Sequence, residues 1–312
     1  MTKTLKFRAF AAASVLVALA ALSPAAALAQ DTAAEEAAHR AAVLAQLPAA
    51  AAKRLFGLAE SPAPGPPKSI GSYTKGCVAG AVQLPADGPN WQVMRPSRNR
   101  AWGNPGLIRF VESLAAAMPQ SNGWAGLLIG DLGQPRGGPM LTGHTSHQIG
   151  LDGDIWLTPM PDRRLTREER ENLSATNVVA ADGLDIDPKV WSPAYRKLLE
   201  AVARRPEVAR IFVNPAIKRA LCREAGADRA WLRRVRPWWG HNYHFHIRLS
   251  CPAGEPACED QPGPPAEEGC GKELDWWFTP EALHPKPGPP PRPLLIEQMP
   301  RACEALVQAA TH

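Results

Sequence analysis

The sequence predicts an α+β domain, a small antiparallel central sheet flanked by helices and by long loops stapled with disulfides. Three observations point there. Helix-period and strand-like apolar segments are mixed between Ser69 and Cys251, with no internal repeat. Proline- and glycine-rich stretches bound that region on both sides. Six cysteines, an even set, sit in a chain that opens with an export pattern, which suits disulfides rather than a cytosolic redox motif.

Lys3, Lys6 and Arg8 precede an apolar run from Ala9 to Leu22, and Ala27-Leu28-Ala29 supplies small residues for cleavage, so 1–29 reads as a secretory signal peptide. Ser14, Ser23 and Pro24 interrupt a run already shorter than the roughly 20 apolar residues a membrane span needs. No later segment is apolar enough to span, so the mature chain is expected to be soluble in an oxidising compartment. Loss of Lys3, Lys6 and Arg8 takes the formal net charge from +5 to +2, which gives a nucleic-acid partner no support.

Residues 30–68 read as an Ala/Pro-rich leader or linker, a short helix over Ala33 to Leu55 broken by Ser61-Pro62-Ala63-Pro64-Gly65-Pro66-Pro67. A single domain is expected over 69–303. Asn104-Pro105 caps and opens a helix carrying Leu107, Ile108, Val111 and Leu114 on one face and ending at Pro119. Trp124 to Gly130 suits a buried strand, Thr166 with Glu169 forms a capping box, and Ser192-Pro193 opens a helix that closes before Pro206. Ala209 to Val213 reads as a strand ended by Asn214-Pro215, and Tyr243 to Leu249 as the last strand. The Pro-rich segment of about 252–303 is too poor in backbone donors to be core and should wrap or hang from the surface, with Cys258, Cys270 and Cys303 fastening it. Residues 304–312 read as a tail. Cys251 and Cys258 suit one short disulfide loop; the remaining connectivity stays open at this level.

Five of the eight histidines fall in two stretches, Gly143 to Asp154 and His241 to His246. Side chains two apart on a strand share a face, so His244 and His246 stand together while Phe245 and Ile247 point into the core. Taken alone, such a pair is equally consistent with half-buried strand histidines. His147 and Asp154 are separated by Gly150 and Gly153, and a glycine-bearing loop can fold back to bring both side chains to one ion. His, Asp and His are donors zinc accepts, and three protein ligands with one open position define a hydrolytic site. No cysteine pair has the Cys-x-x-Cys spacing of a structural zinc site.

At these residues a resemblance becomes specific. Ser146-His147 with Gly150 and Asp154 partly meets the Ser-x-His-x-x-Gly-x-x-x-Asp pattern, and His244-Phe245-His246 closes it, as in the lysostaphin, D-Ala-D-Ala-peptidase and hedgehog-type metallopeptidase fold. Within that fold, Gly143 to Gln148, Ile211 to Lys218 and Val235 to Trp239 resemble the penicillin-insensitive murein endopeptidases, over about Ser69 to Cys303. The resemblance implies that His147, Asp154 and His246 hold zinc, that His244 acts beside the metal as base or transition-state stabiliser, and that His144 and His241 line the cleft. His144 is implied in an additional metal position, and His241 in catalysis. Asp182-Gly183-Leu184-Asp185 stands where the family carries Asp-Gly-x-His, so Asp182 and Asp185 offer oxygen ligands to a second metal. By the same resemblance the disulfides pair Cys77 with Cys303, Cys222 with Cys270 and Cys251 with Cys258.

The implied substrate is the D-alanyl to meso-diaminopimelyl cross-link of peptidoglycan in the Gram-negative periplasm. Arg98, Arg100, Arg233, Arg234 and Arg236 are candidates for gripping stem-peptide carboxylates, or are ordinary solvated charges. Trp238 and Trp239 are a cleft wall or core. A carboxypeptidase trimming terminal D-alanine and a non-catalytic peptidoglycan-binding module are the competing functions, and an open groove separates an endopeptidase from the first.

Overall fold

The computed structural model describes residues 33–286, 288 and 292–308. The expected signal peptide, part of the Pro287-to-Pro291 run and the last four residues lie outside the described residues. In chain order the helices are α1 (Ala33–Gln46), α2 (Ala52–Gly57), α3 (Pro105–Ser121), α4 (Arg167–Asn172), α5 (Pro193–Ala203), α6 (Pro215–Glu224), α7 (Lys272–Asp275), α8 (Pro280–Leu283) and α9 (Arg301–Gln308). The strands are β1 (Lys68–Ser72), β2 (Lys75–Ala79), β3 (Val82–Gln83), β4 (Asp87–Gly88), β5 (Trp91–Val93), β6 (Trp102–Gly103), β7 (Leu127–Ile129), β8 (Asp152–Pro159), β9 (Val208–Val213), β10 (Val235–Pro237) and β11 (His244–Leu249).

A seven-stranded sheet in the order β10-β9-β11-β8-β7-β5-β4 organises the domain. Its centre, β9-β11-β8-β7, is antiparallel, while β10 on β9 and β5 on β7 are parallel. Alternation decides what each face does. Ile155 and Leu157 of β8 and Phe245 and Ile247 of β11 are fully buried in the core. Asp154 and Trp156, with His244 and His246, therefore project from the opposite face.

Helices α3 and α5 cover the core face. Asn104 accepts from the Gly106 amide at 2.9 Å and Pro105 takes the first helical position, as its missing donor allows. Leu107, Val111, Leu114 and Met118 are fully buried, each stabilising by roughly 1.5–3 kcal/mol relative to exposure. The helix runs two residues past the expected stop at Pro119. Proline disfavours a helical residue before it, but that residue is Met118, anchored in the core. The expected capping box at Thr166 and Glu169 opens α4. Asn214-Pro215 ends β9 as expected and, beyond that expectation, opens α6, with the Asn214 side chain accepting from the Ala216 amide. The strand expected over Trp124 to Gly130 is confined to β7, and Trp124 instead packs edge-on against Tyr195.

The three disulfides pair as the resemblance implied. The Pro-rich segment is tied down by side chains as well. Glu255 accepts from the Ser69 amide at 2.7 Å and from Asn104 at 3.2 Å, and Asp260 from the Tyr73 hydroxyl at 2.8 Å. Residues read as leader or linker are packed onto the domain. Ala51, Ala52 and Phe56 are fully buried, Ala52 donates to the Leu294 carbonyl, and Phe56 shares a small core with Cys77, Met299 and Cys303. Among the described residues, no helix is long and apolar enough to cross a membrane.

Candidate metal centre and cleft

Strands β8 and β11 set His246 directly opposite Asp154, and His244 opposite Trp156. Opposed side chains share a face at close range, so the register alone brings an imidazole to a carboxylate. His147 arrives from the loop before β8, with a left-handed backbone at φ 67°. That loop turns at Gly150, where φ is +71° and an added Cβ would meet the Asn104 nitrogen at 2.7 Å. The His147 amide donates to Asp152 Oδ2 at 3.0 Å, and its ring Nδ1 donates to the Leu132 carbonyl. Nε2 is thereby left as a lone pair facing the sheet.

Three donor atoms converge there. His147 Nε2 lies 3.1 Å from His246 Nδ1, and each lies 3.4 Å from Asp154 Oδ1. Bonds of about 2.0–2.1 Å to a tetrahedral zinc require donors roughly 3.3 Å apart, so this triangle matches one face of such a site. Asp154 Oδ1 is buried and has no hydrogen-bond partner. An isolated buried carboxylate oxygen is costly, and a cation removes that cost. His144 forms a second, overlapping group with His147 and Asp154. Its Nδ1 stands 3.5 Å from Asp154 Oδ2, and its Nε2 3.1 Å from Asp131 Oδ2. His244 Nε2 lies 3.6 Å from Asp154 Oδ2, with its Nδ1 buried and unpartnered. His241 donates from Nδ1 to the Trp239 carbonyl at 2.7 Å, its ring 4.8 Å from that of His244.

Burial raises the Asp154 carboxyl, but His244, His144 and His147 outweigh it and hold the group well below the usual carboxylate range. Burial pushes His244 down to about 3 and His246 down to about 4, against the opposing pull of Asp154 and Asp152 respectively. Both are therefore neutral at pH 7, the state a metal requires. His147 goes the other way, because Asp154, Asp152 and the Leu132 carbonyl overcome its burial.

A cleft extends to both sides of this cluster. One cavity of about 300 Å³ is lined by Arg95, Arg98, Arg100, Tyr243 and His244. Another, of about 420 Å³, is lined by Arg210, Phe212, Trp238, Trp239, His241 and His246. His144 borders both.

A model of the penicillin-insensitive murein endopeptidase family matches residues 69–308. The chain belongs to that family. Curated relatives named penicillin-insensitive murein endopeptidase include those of Yersinia enterocolitica, 45% identical over 79% of this chain and 87% of theirs, and of Klebsiella pneumoniae, 46% identical over 79% and 88%. The relative of Salmonella heidelberg is 44% identical over 79% and 88%. This is a metallopeptidase family, so the chain is a hydrolase acting on peptide bonds.

In this murein endopeptidase-family chain the structure brings His144, His147, Asp154, His241, His244 and His246 to one cleft. Arg98 and Arg100 are there too, each pairing with Asp131. The other candidate arginines are elsewhere: Arg233 is exposed, Arg234 donates to the Ala203 and Arg205 carbonyls, and Arg236 pairs with Glu273. Trp238 and Trp239 are 49% and 41% exposed, which makes them cleft wall rather than core. Asp185 is paired to Arg223, and Asp182 closes a local turn onto the Leu184 amide. Among the described residues neither joins the His/Asp groups that can hold a metal, so a second ion there gains no support. Sequence reasoning missed Arg95, Asp131, Asp152, Tyr243 and Arg248. For Asp152 and Arg248 a signal existed, since counting by two from Asp154 and His246 places both on the site face.

Proposed function

We propose that the chain is a zinc-dependent murein endopeptidase of the periplasm that hydrolyses the D-alanyl to meso-diaminopimelyl cross-link of peptidoglycan. His147 Nε2, Asp154 Oδ1 and His246 Nδ1 are the proposed ligands, with His144 beside them. The observation that carries the reading is the cleft running to both sides of the donor triangle, because a cross-link has chain on both sides of its scissile bond. A carboxypeptidase needs room for only one residue on the leaving side.

Bound zinc supplies a Lewis acid for the scissile carbonyl and lowers the pKa of a coordinated water. The protein's share is orientation and proton handling. The Leu132 carbonyl fixes the His147 ring, while Asp152 Oδ1 lies 3.3 Å from His246 Nε2 and the other ring nitrogen of His246, Nδ1, faces the triangle. His244 is neutral, buried and one face-step from His246, so it can take a proton at the reacting atoms or donate to the developing oxyanion. Phe212 packs edge-on to His246 and braces that ring where it borders the cleft. No serine nucleophile enters this scheme, and a β-lactam acylates a nucleophilic hydroxyl, so penicillin has no target group.

The deciding experiment incubates mature protein with cross-linked muropeptide dimers, with and without a zinc chelator, and follows products by mass spectrometry. Dimers should become monomers, and chelation should stop it. Free D-alanine from intact dimers would replace this reading with the carboxypeptidase, and zinc binding without any product would replace it with a binding role.

A further inference from the structure

We infer that the arginine-lined arm of the cleft is a carboxylate subsite, and that Glu36 of the chain's own N-terminal helix occupies it and must be displaced by substrate. The identity of the displacing group, a stem-peptide carboxylate beside the scissile bond, rests on the endopeptidase reading; the occupancy does not.

Helix α1 is unusual in what it buries. Its one buried side chain is Glu36, 7% exposed. Surface helices bury an apolar stripe, and glutamate is rarely buried unless paired. Here the carboxylate is the part inserted. Glu36 Oε1 accepts from the Thr142 hydroxyl, and its two oxygens lie 3.7 Å from Arg100 and Arg98. Those separations are ion-pair distances without a direct guanidinium hydrogen bond, so the cationic pocket holds Glu36 less closely than the bidentate geometry arginine offers a carboxylate.

The pocket has capacity to spare. Arg95 and Arg100 are each 4% exposed, and Arg95 NH2, Arg98 Nε and Arg100 Nε are buried without hydrogen-bond partners. Asp131 accepts from Arg98 at 3.2 Å and Arg100 at 2.8 Å, while Asp154 is committed to the histidines. With Glu36 withdrawn, Arg98 and Arg100 are left sharing Asp131, while Arg95 donates to the Glu171 carbonyl and has the Glu171 carboxylate as a counter-charge, so it is the Arg98 and Arg100 pair that favours another anion. The subsite also adjoins the chemistry. Asp131 links Arg98 and Arg100 to His144, whose other nitrogen is 3.5 Å from Asp154.

Outside the pocket α1 is held by Arg54, which donates to the Leu44 carbonyl at 2.8 Å, and by Arg40. Arg40 donates to the Arg98 carbonyl at 3.3 Å and to the Gly57 carbonyl at 3.4 Å. The helix lies before residues 69–308, the extent of the family match. A resident carboxylate lowers apparent affinity by the fraction of molecules in which it is bound, so removing it should tighten binding of a competing one.

The test uses the mature chain and two probes, a D-alanyl-D-alanine peptide with a terminal carboxylate and free meso-diaminopimelate, which distinguish the source of the carboxylate. Binding is followed by calorimetry and α1 by hydrogen exchange. At least one probe should accelerate amide exchange across 33–46 and should bind Glu36→Gln on the order of 10-fold more tightly than the parent. Arg100→Gln should lose that binding. Should Glu36→Gln fold poorly, Arg54→Ala removes the 2.8 Å bond to the Leu44 carbonyl of the same helix while Glu36 stays in place, and the same tightening is expected. Equal affinity in parent and variant, unchanged α1 exchange at saturating probe, or no probe binding at all overturns the inference. Dimer hydrolysis, measured in parallel, separates the two claims. Probe-driven release of α1 without hydrolysis upholds the mask and removes the endopeptidase, whereas hydrolysis indifferent to Glu36→Gln removes the mask alone.

Discussion

Asp152→Asn should damage stability and metal affinity together, and the two losses can be separated. Asp152 is fully buried. Its carboxylate accepts from Arg248 Nε at 2.8 Å and NH2 at 3.1 Å, accepts from the His147 amide at 3.0 Å, and lies 3.3 Å from His246 Nε2. Arg248 is only 6% exposed, so an amide in place of the carboxylate leaves a buried guanidinium without its counter-charge. Removing one partner of such a pair costs about 3–5 kcal/mol. Loss of the group orienting two proposed ligands should weaken metal affinity by about 10–100-fold. Denaturant unfolding and chelator competition read the two effects. In Asp152→Asn/Arg248→Met the uncompensated charge is gone, so stability should return in part while metal affinity stays low. The acid limb adds a check. Burial raises this carboxyl, but Arg248 and His246 hold it far below the ordinary range. A depressed acid stabilises above its unfolded pKa of about 3.9 and loses that contribution as pH falls toward its native value; the asparagine variant should lack this part of the acid destabilisation. Unchanged unfolding and unchanged metal affinity in Asp152→Asn would refute the reasoning.

Further outcomes follow from the same geometry. His244→Ala should keep its metal and lose about 10²–10⁴ in turnover, whereas His246→Ala should lose both; equal metal loss by elemental analysis would contradict the division of roles. Lys218 is fully buried, donates to the Leu232 and Glu268 carbonyls, and is pushed down to about 7 by burial and then by Arg236. Between pH 7 and the unfolded value of about 10.4 the unfolded chain binds the extra proton, so the parent's stability should rise with pH relative to Lys218→Met; a flat difference would show that the amine is charged in the native state. Replacing Cys77 and Cys303 together should cost about 2–5 kcal/mol and loosen α9 and the 50–52 segment, read as faster hydrogen exchange there.

The donor triangle was legible because strand alternation and a glycine-bearing loop are local signals. His244, His246, Phe245 and Ile247 fall on the faces that counting by two assigns. The Asn-Pro pair that opens α3 recurs at Asn214-Pro215, so the same rule reaches α6: proline there both stops a strand and starts a helix. Residues 33–57 misled for a different reason. An alanine-rich run has no strong apolar stripe, and what fixes it is a set of distant partners: Phe56 against Cys77 and Cys303, and Ala52 on Leu294.

Charge balance in the cleft is the part no local pattern encodes. Asp131 follows the short strand β7 and reads in sequence as an ordinary loop acid, yet it is 5% exposed and shared by Arg98, Arg100 and His144. Burial raises its carboxyl, and Arg100, His144 and Arg98 together bring it well below the usual range. One carboxylate thus contacts both arms of the cleft: His144 beside the donor triangle, and the two guanidiniums of the proposed carboxylate subsite. Changing Asp131 to asparagine should therefore weaken metal retention and, by leaving Arg98 and Arg100 without their counter-charge, tighten carboxylate binding, whereas Arg98→Gln should weaken carboxylate binding alone. Those opposite shifts from one substitution distinguish a shared electrostatic hinge from two independent sites that happen to adjoin.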